Sequence, residues 1–194
     1  MIKNKPFVQL GRNLGEFPKV SNRRVFLVMN GVKQQQLTPF ECAVWGQVSS
    51  FKTLEQWESM ILDKIAHVKN FNWQRVLKKL IDEQLIICWE FSSVEDPNLV
   101  HIYATRQGYA HGLVNGKWLM SDTQVKQGIV LTKDQFDVWN AAAGKAMLLE
   151  VIDTLMKQRG IALEEAFALL VNNGFRLTQI GLWNLEYIDL EKQG

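Results

Sequence analysis

Apolar runs along this chain come in two sets that share one order. Val25-Phe26-Leu27-Val28-Met29 leads into Asn30-Gly31, and in the second half Asn115-Gly116 leads into Lys117-Trp118-Leu119-Met120. Asn-Gly beside an apolar run signals a hairpin, because both turn residues take positive φ. Leu37-Thr38 and Val44-Trp45 then recur 94 positions later as Leu131-Thr132 and Val138-Trp139. At the same spacing Leu54, Trp57 and Ile61 fall on Leu148, Val151 and Leu155, and Ile86, Trp89 and Phe91 fall on Ile180, Trp183 and Leu185. A third helix aligns at a spacing of 90, where Phe71, Trp73 and Leu80-Ile81 meet Ile161, Leu163 and Leu170-Val171. Self-similarity of this kind predicts a repeated supersecondary unit.

Local signals name the elements. Thr38-Pro39-Phe40-Glu41 places a capping Thr, a Pro at the first helical position and a Glu three residues after the cap; Thr132-Lys133-Asp134-Gln135 and Thr53-Leu54-Glu55-Gln56 repeat the box. Leu54, Trp57, Ile61 and Ile65 form a stripe at helical spacing, and Val76, Leu77, Leu80 and Ile81 face inward on a third helix from about Trp73 to Gln84. Gly160 and Gly174 stand where helix C-caps are expected. Leu85–Phe91 predicts a strand, Ser92–Asn98 a turn, and Leu99–Tyr103 a returning strand. Three helices followed by a two-stranded ribbon make a helix-turn-helix with a wing. The predicted fold is α+β: two tandem winged-helix-like units, each a hairpin, three helices and a two-stranded wing, packed together. Residues 1–23 form a basic N-terminal segment, 24–105 the first unit and 106–190 the second.

The first unit is similar to a known family. Leu37-Thr38 with Trp45 eight residues after the Leu, the Thr53-Leu54-Glu55-Gln56 start, and the later Leu80, Leu85 and Ile86 resemble the PqqD family. Those are small winged-helix proteins that hold the leader of a precursor peptide for a modifying enzyme. The resemblance covers about residues 25–91 and, more weakly, 113–188. It implies a winged-helix fold and a peptide- or protein-binding adaptor. Where the family has Asn after that Leu and Gly in the loop after the first helix, this chain has Thr38 and Ser49-Ser50, and it fuses two copies.

Composition narrows the compartment. Hydrophobic residues make up 47% and the net charge is +2, ordinary for a globular protein. No run approaches the ~18 apolar residues of a membrane span, and the start lacks the apolar stretch of a signal peptide, so a cytoplasmic protein without membrane contact is expected. Cys42 and Cys88 form no CxxC and read as small buried apolar residues. Charge is uneven: residues 1–24 hold Lys3, Lys5, Arg12, Lys19, Arg23 and Arg24 against Glu16 alone, a net of +5 that leaves −3 on the remainder.

Enzyme signatures are missing, so no catalytic residue, cofactor or metal is expected. His67, His101 and His111 make no zinc spacing with each other or with the cysteines, and no phosphate-binding glycine motif or GxSxG is present. Glu164-Glu165 and Asp82-Glu83 are adjacent on helices and diverge. Trp45, Trp139, Trp57 and Trp73 sit at apolar-face positions, Trp89 and Trp183 at equivalent strand positions, and Trp118 is expected to be the most exposed.

Two binding classes remain. Lys69 to Lys79 contains no acid, and Gln74, Arg75, Lys78 and Lys79 fall off the apolar stripe, where a recognition helix makes base and phosphate contacts. The expected DNA-binding residues are Asn72, Gln74, Arg75, Lys78 and Lys79, with Arg23 and Arg24 of the N-terminal segment, as in a transcription regulator. The second unit carries Glu164 and Glu165 on the corresponding helix and would serve dimerisation or scaffolding, with a homodimer as one expected assembly. The alternative is a peptide- or protein-binding adaptor that adds a partner strand to the edge of a wing or hairpin. A basic stripe from the N-terminal segment to the third helix favours the first class; an uncovered strand edge beside apolar surface favours the second.

Overall fold

In each half of the chain the first strand pairs with one at the far end of the same half. A computed structural model describes residues 2–18, 24–65, 72–121 and 128–189. The chain divides into unit 1, Met1–Glu90, and unit 2, Phe91–Gly194. It is a mixed α+β structure of helices and small antiparallel sheets. Among the described residues no helix is long and apolar enough to cross a membrane.

Unit 1 runs β1 (Phe7–Gln9), β2 (Arg12–Pro18), β3 (Arg24–Asn30), β4 (Lys33–Leu37), α1 (Pro39–Trp45), α2 (Leu54–Ile65), α3 (Trp73–Asp82) and β5 (Ile86–Cys88). Strands β2, β3 and β4 form one sheet in that order, and β1 pairs with β5. Unit 2 begins with a helical turn, α4 (Asn98–His101), then repeats the order. It runs β6 (Ile102–Arg106), β7 (Tyr109–Val114), β8 (Lys117–Ser121), β9 (Gly128–Leu131), α5 (Lys133–Ala141), β10 (Lys145–Met147), α6 (Leu148–Arg159), α7 (Leu163–Gln179) and β11 (Trp183–Tyr187). Strands β7, β8 and β9 form the matching sheet, and β6 pairs with β11 while also taking β10 on its other side.

Capping explains where the helices start. Thr38 accepts from the Glu41 N–H and the Thr38 N–H donates to the Glu41 carboxylate; Thr132 and Gln135 repeat the reciprocal pair. From there Leu54, Trp57 and Ile61 in unit 1 and Leu148, Val151 and Leu155 in unit 2 are all buried. The tryptophan of each first helix then ties down the corner between first and last strands. Trp45 donates to the Leu85 carbonyl at 2.9 Å, and Trp139 donates to the Gln107 carbonyl at 2.9 Å. At that corner the Leu10 N–H meets Leu85 O and the Gln107 N–H meets Leu182 O, both at 2.8 Å.

Those bonds set an equivalence of 97 positions at both ends of the repeat, where 94 and 90 were expected for the last strand and third helix. Leu85 N–H returns to Leu80 O, and Leu182 N–H to Leu177 O, so Leu80 corresponds to Leu177. The third-helix spacing was therefore displaced by seven residues. Seven residues is almost two helical turns and preserves the buried face, which is why the apolar pattern did not expose the error. For the same reason Trp183 corresponds to Ile86, and Trp89 is not its counterpart. Ile81, expected inward, is exposed, and Gly174 lies buried inside α7 instead of capping it. Phe71 lies outside the described residues.

Three further expectations differ. Residues 1–23 were expected as an arm; Phe7 and Val8 are buried in β1, and β2 pairs along β3, while Lys19–Arg23 lie outside the described residues. Unit boundaries at 24, 105 and 190 therefore miss the first strand. The first unit's wing of Leu85–Phe91 with Leu99–Tyr103 does not form. A helical turn forms there instead, with Asp96 ahead of it accepting from the Asn98 N–H; Leu99 is buried, and β6 pairs within unit 2. The two Asn-Gly pairs occupy different hairpins, β3–β4 and β7–β8. Only Asn115-Gly116 has both residues at positive φ; Asn30 ends β3 with its side chain donating to the Gln84 carbonyl at 2.7 Å. Trp118 is the most exposed tryptophan, as expected: it is half-buried, stacked on Phe136 at 3.6 Å between centroids, while the other six are buried.

Candidate functional site

The residues expected to meet DNA are largely engaged within unit 1. Asn72 is the N-cap of α3, its Oδ1 accepting from the Arg75 N–H at 3.0 Å. Gln74 donates to Glu58 at 3.4 Å. Lys78 pairs with Asp82 one turn on, at 2.6 Å. Lys79 is two-thirds covered: its Nζ meets the Glu41 carboxylate at 2.8 Å and donates to the Gln36 carbonyl at 3.2 Å. Arg24 forms a two-pronged ion pair with Glu16 across β2 and β3. Arg75 is exposed on α3, and Arg23 lies outside the described residues. The structure brings Asn72, Gln74, Arg75, Lys78 and Lys79 onto one helix, as expected. It places Arg24 on a sheet, held by an acid.

The electrostatics around Lys79 follow from its partners. Burial alone would raise the Glu41 carboxyl; hydrogen bonds from Lys79 and Thr38, with the lysine's charge, outweigh it and hold the group below the usual carboxylate range. Glu83, at the end of α3, goes the other way: burial pushes its carboxyl up, Lys79 pulls it back, and Glu41 and Asp82 add to the push.

Lys79 ties the β3–β4 hairpin to α3, and two further side chains of the hairpin reach the end of that helix. Gln35 donates to the Glu83 carbonyl at 2.6 Å and Asn30 to the Gln84 carbonyl. Two of these ties have described counterparts in unit 2, and both are missing. Strand register matches Gln36 with Val130, since Leu27 faces Gln36 and Leu119 faces Val130. Gln35 then corresponds to Ile129, which has no side-chain donor. Lys79 corresponds to Arg176 on α7, three residues before the helix end.

The outer strands of the two sheets also differ in chemistry. In unit 1, β2 carries Arg12, Glu16 and Pro18, and β4 carries Lys33 and three consecutive glutamines. Charges and proline on outer strands block pairing with other chains. In unit 2, neither β7 nor β9 contains Asp, Glu, Lys, Arg or Pro. Tyr109 is 65% exposed, Leu113 63% and Val130 55%. Both β2 and β7 are bulged, which disturbs them as pairing edges; β9 is regular. Gln36 turns its carbonyl away from β3, toward Lys79, so Val130 by register turns its peptide group away from β8. An outward peptide group on an uncharged β-branched strand is what a further strand needs.

Other polar groups are dispersed. His111 and Ser121 meet at 2.7 Å on the exposed side of the β7–β8 pair. Cys42 is buried and Cys88 half-buried, both as free thiols, and burial raises both. Among the described residues no three His, Cys, Asp or Glu side chains are grouped so as to hold a metal ion.

Val130 and Arg176 were not singled out from the sequence. Gly11-Arg12-Asn13-Leu14-Gly15 and Gly108-Tyr109-Ala110-His111-Gly112 were the signal that could have found them. All four glycines have positive φ, and Gly11 and Gly108 each lie hard against the backbone of the neighbouring strand. Aligning on them places the outer strands side by side and exposes glutamine against valine. Neither the models of known protein families nor the sequences of curated proteins give a match to this chain.

Proposed function

We propose that this chain is a non-enzymatic binding adaptor of two winged-helix-like units, which captures an extended peptide or protein segment by adding it as a strand to β9. The carrying observation is the contrast between equivalent outer strands. Lys33-Gln34-Gln35-Gln36-Leu37 is polar and tied to its third helix, whereas Gly128-Ile129-Val130-Leu131 is apolar, uncharged and regular. Unit 1 thereby acts as the scaffold and unit 2 as the receiving surface. The resemblance to PqqD proteins supports the same class of partner. Duplex DNA is the less favoured partner, because Lys79 and Arg24 already neutralise acids of unit 1 and β1 and β2 leave no long basic arm.

The test is fluorescence anisotropy with two labelled probes, a short peptide of alternating Val and Thr and a mixed-sequence DNA duplex, at low and moderate salt. The peptide is expected to bind with weak salt dependence, and Val130→Pro, which removes the outward N–H, is expected to abolish binding while circular dichroism stays native. Duplex binding that falls with salt by a log–log slope of roughly −0.9 per phosphate contact, lost in a Lys78→Glu/Lys79→Glu variant, would replace this reading with the DNA one.

A further inference from the structure

We infer that Arg176 selects a carboxylate on the captured strand, so that the partner of unit 2 is an extended segment carrying Asp or Glu among apolar residues. The inference rests on strand addition at β9 and adds the chemistry of the partner. The repeat supplies the reference state. In unit 1 three groups close one another: the Lys79 ammonium, the Glu41 carboxylate at 2.8 Å and the Gln36 carbonyl at 3.2 Å. At the equivalent positions unit 2 has Arg176, Gln135 and Val130. The cation is kept and the acid is gone. Gln135 is neutral and already committed to the helix cap, its Oε1 accepting from the Thr132 N–H at 3.0 Å.

Arg176 is exposed, and among the described residues its side chain has no hydrogen-bond or ion-pair partner. The edge peptide group of Val130 lacks the lysine that covers its counterpart. By the equivalence with Gln36 and Lys79, a strand laid along β9 would meet the peptide group of Val130 and run past Arg176. A carboxylate on that strand restores the missing third member. Arginine suits the task better than lysine, since its planar fork takes a carboxylate two-pronged. Acidic residues would also be disfavoured at unit 1, where Glu41 holds the same position, so the charge directs the segment to one unit of two.

The experiment compares three capped peptides of alternating Val and Thr that differ in one central residue, Glu, Gln or Lys, titrated into the full chain. The Glu peptide is expected to bind about two- to fivefold more tightly than the Gln peptide, the upper part of the range of an exposed ion pair. Arg176→Gln should remove that preference without loss of Gln-peptide binding, and Arg176→Glu should transfer it to the Lys peptide. Arg75→Gln, an exposed cation on α3, should change nothing. Equal binding of Glu and Gln peptides, or a preference that survives Arg176→Gln, overturns the assignment to Arg176 while leaving strand addition standing. Failure of all three peptides to bind, or binding unaffected by Val130→Pro, overturns strand addition itself.

Discussion

Gly108 offers a way to weigh a close backbone approach separately from backbone strain. It turns the chain from β6 into β7 at φ +79°, and a methyl there would drive into the Ser121 carbonyl oxygen, with Leu182 Cδ2 at 2.9 Å. Gly144, in the same unit, has nearly the same φ, +76°, but a methyl on it meets nothing within 4 Å. Both alanine variants bear the left-handed strain, on the order of 1–2 kcal/mol. Only Gly108→Ala adds overpacking against backbone, on the order of 1–3 kcal/mol. Gly144→Ala should therefore cost about 1–2 kcal/mol and Gly108→Ala about 2–5 kcal/mol. For a unit of this size each kcal/mol lowers the melting temperature by about 4–8 °C. Thermal melts followed by far-ultraviolet circular dichroism should show Gly108→Ala lower than Gly144→Ala by roughly 10 °C. Equal melting temperatures would mean that the β6–β7 corner relaxes freely, and that the glycine repeat is not a packing requirement.

Trp45→Ala removes a buried indole and should destabilise unit 1 by about 3–5 kcal/mol. Trp45→Phe, which loses the bond to Leu85 O but leaves that oxygen accepting from Leu10, should cost about 1–2 kcal/mol; urea titrations distinguish them, and equal costs would contradict the corner tie. Glu83→Gln should raise stability at neutral pH and have little effect near pH 4. A carboxyl whose folded pKa is raised favours the folded state while protonated and loses that advantage as pH rises through the folded value, so melts at both pH values test the sign. Glu41→Gln should do the reverse: Glu41 is lowered, so its contribution is present above the unfolded carboxyl value and lost on acidification through the folded one.

Local chemistry was the legible part of this chain. The capping boxes at Thr38 and Thr132 and the tryptophans seven residues after them stand on short-range rules, and the helices begin where those rules place them. Pairings between distant strands were not legible, because β1 and β5 or β6 and β11 share no local signal. Phe7-Val8-Gln9 is too short for an alternation to stand out beside its lysines, and so passed for part of a charged arm. Leu99–Tyr103 has the apolar content of a strand, yet Pro97 at the N-cap and the Asp96 bond to the Asn98 N–H turn its first half into helix. The basic face of α3 was visible as a face; its ion pairs were not, since Glu41 lies far from Lys79 in sequence. The contrast between the outer strands β4 and β9 became visible only through the register that matches Gln36 with Val130.

The clasp between first and last strands has a consequence for synthesis. Strand β6, with Ile102 and Ala104 fully covered in the finished unit, is the central strand of its sheet and needs β10 and β11 on its two sides. Both emerge from the ribosome after it, β11 only once the long α7 has been made. Until then β6 presents two unsatisfied edges, and closure spans nearly the whole unit, the kind of non-local contact that slows folding. Unit 2 is thus exposed to misassembly throughout its own translation, and a chaperone that shields extended apolar segments would have its main client in the nascent chain here, not in the finished protein.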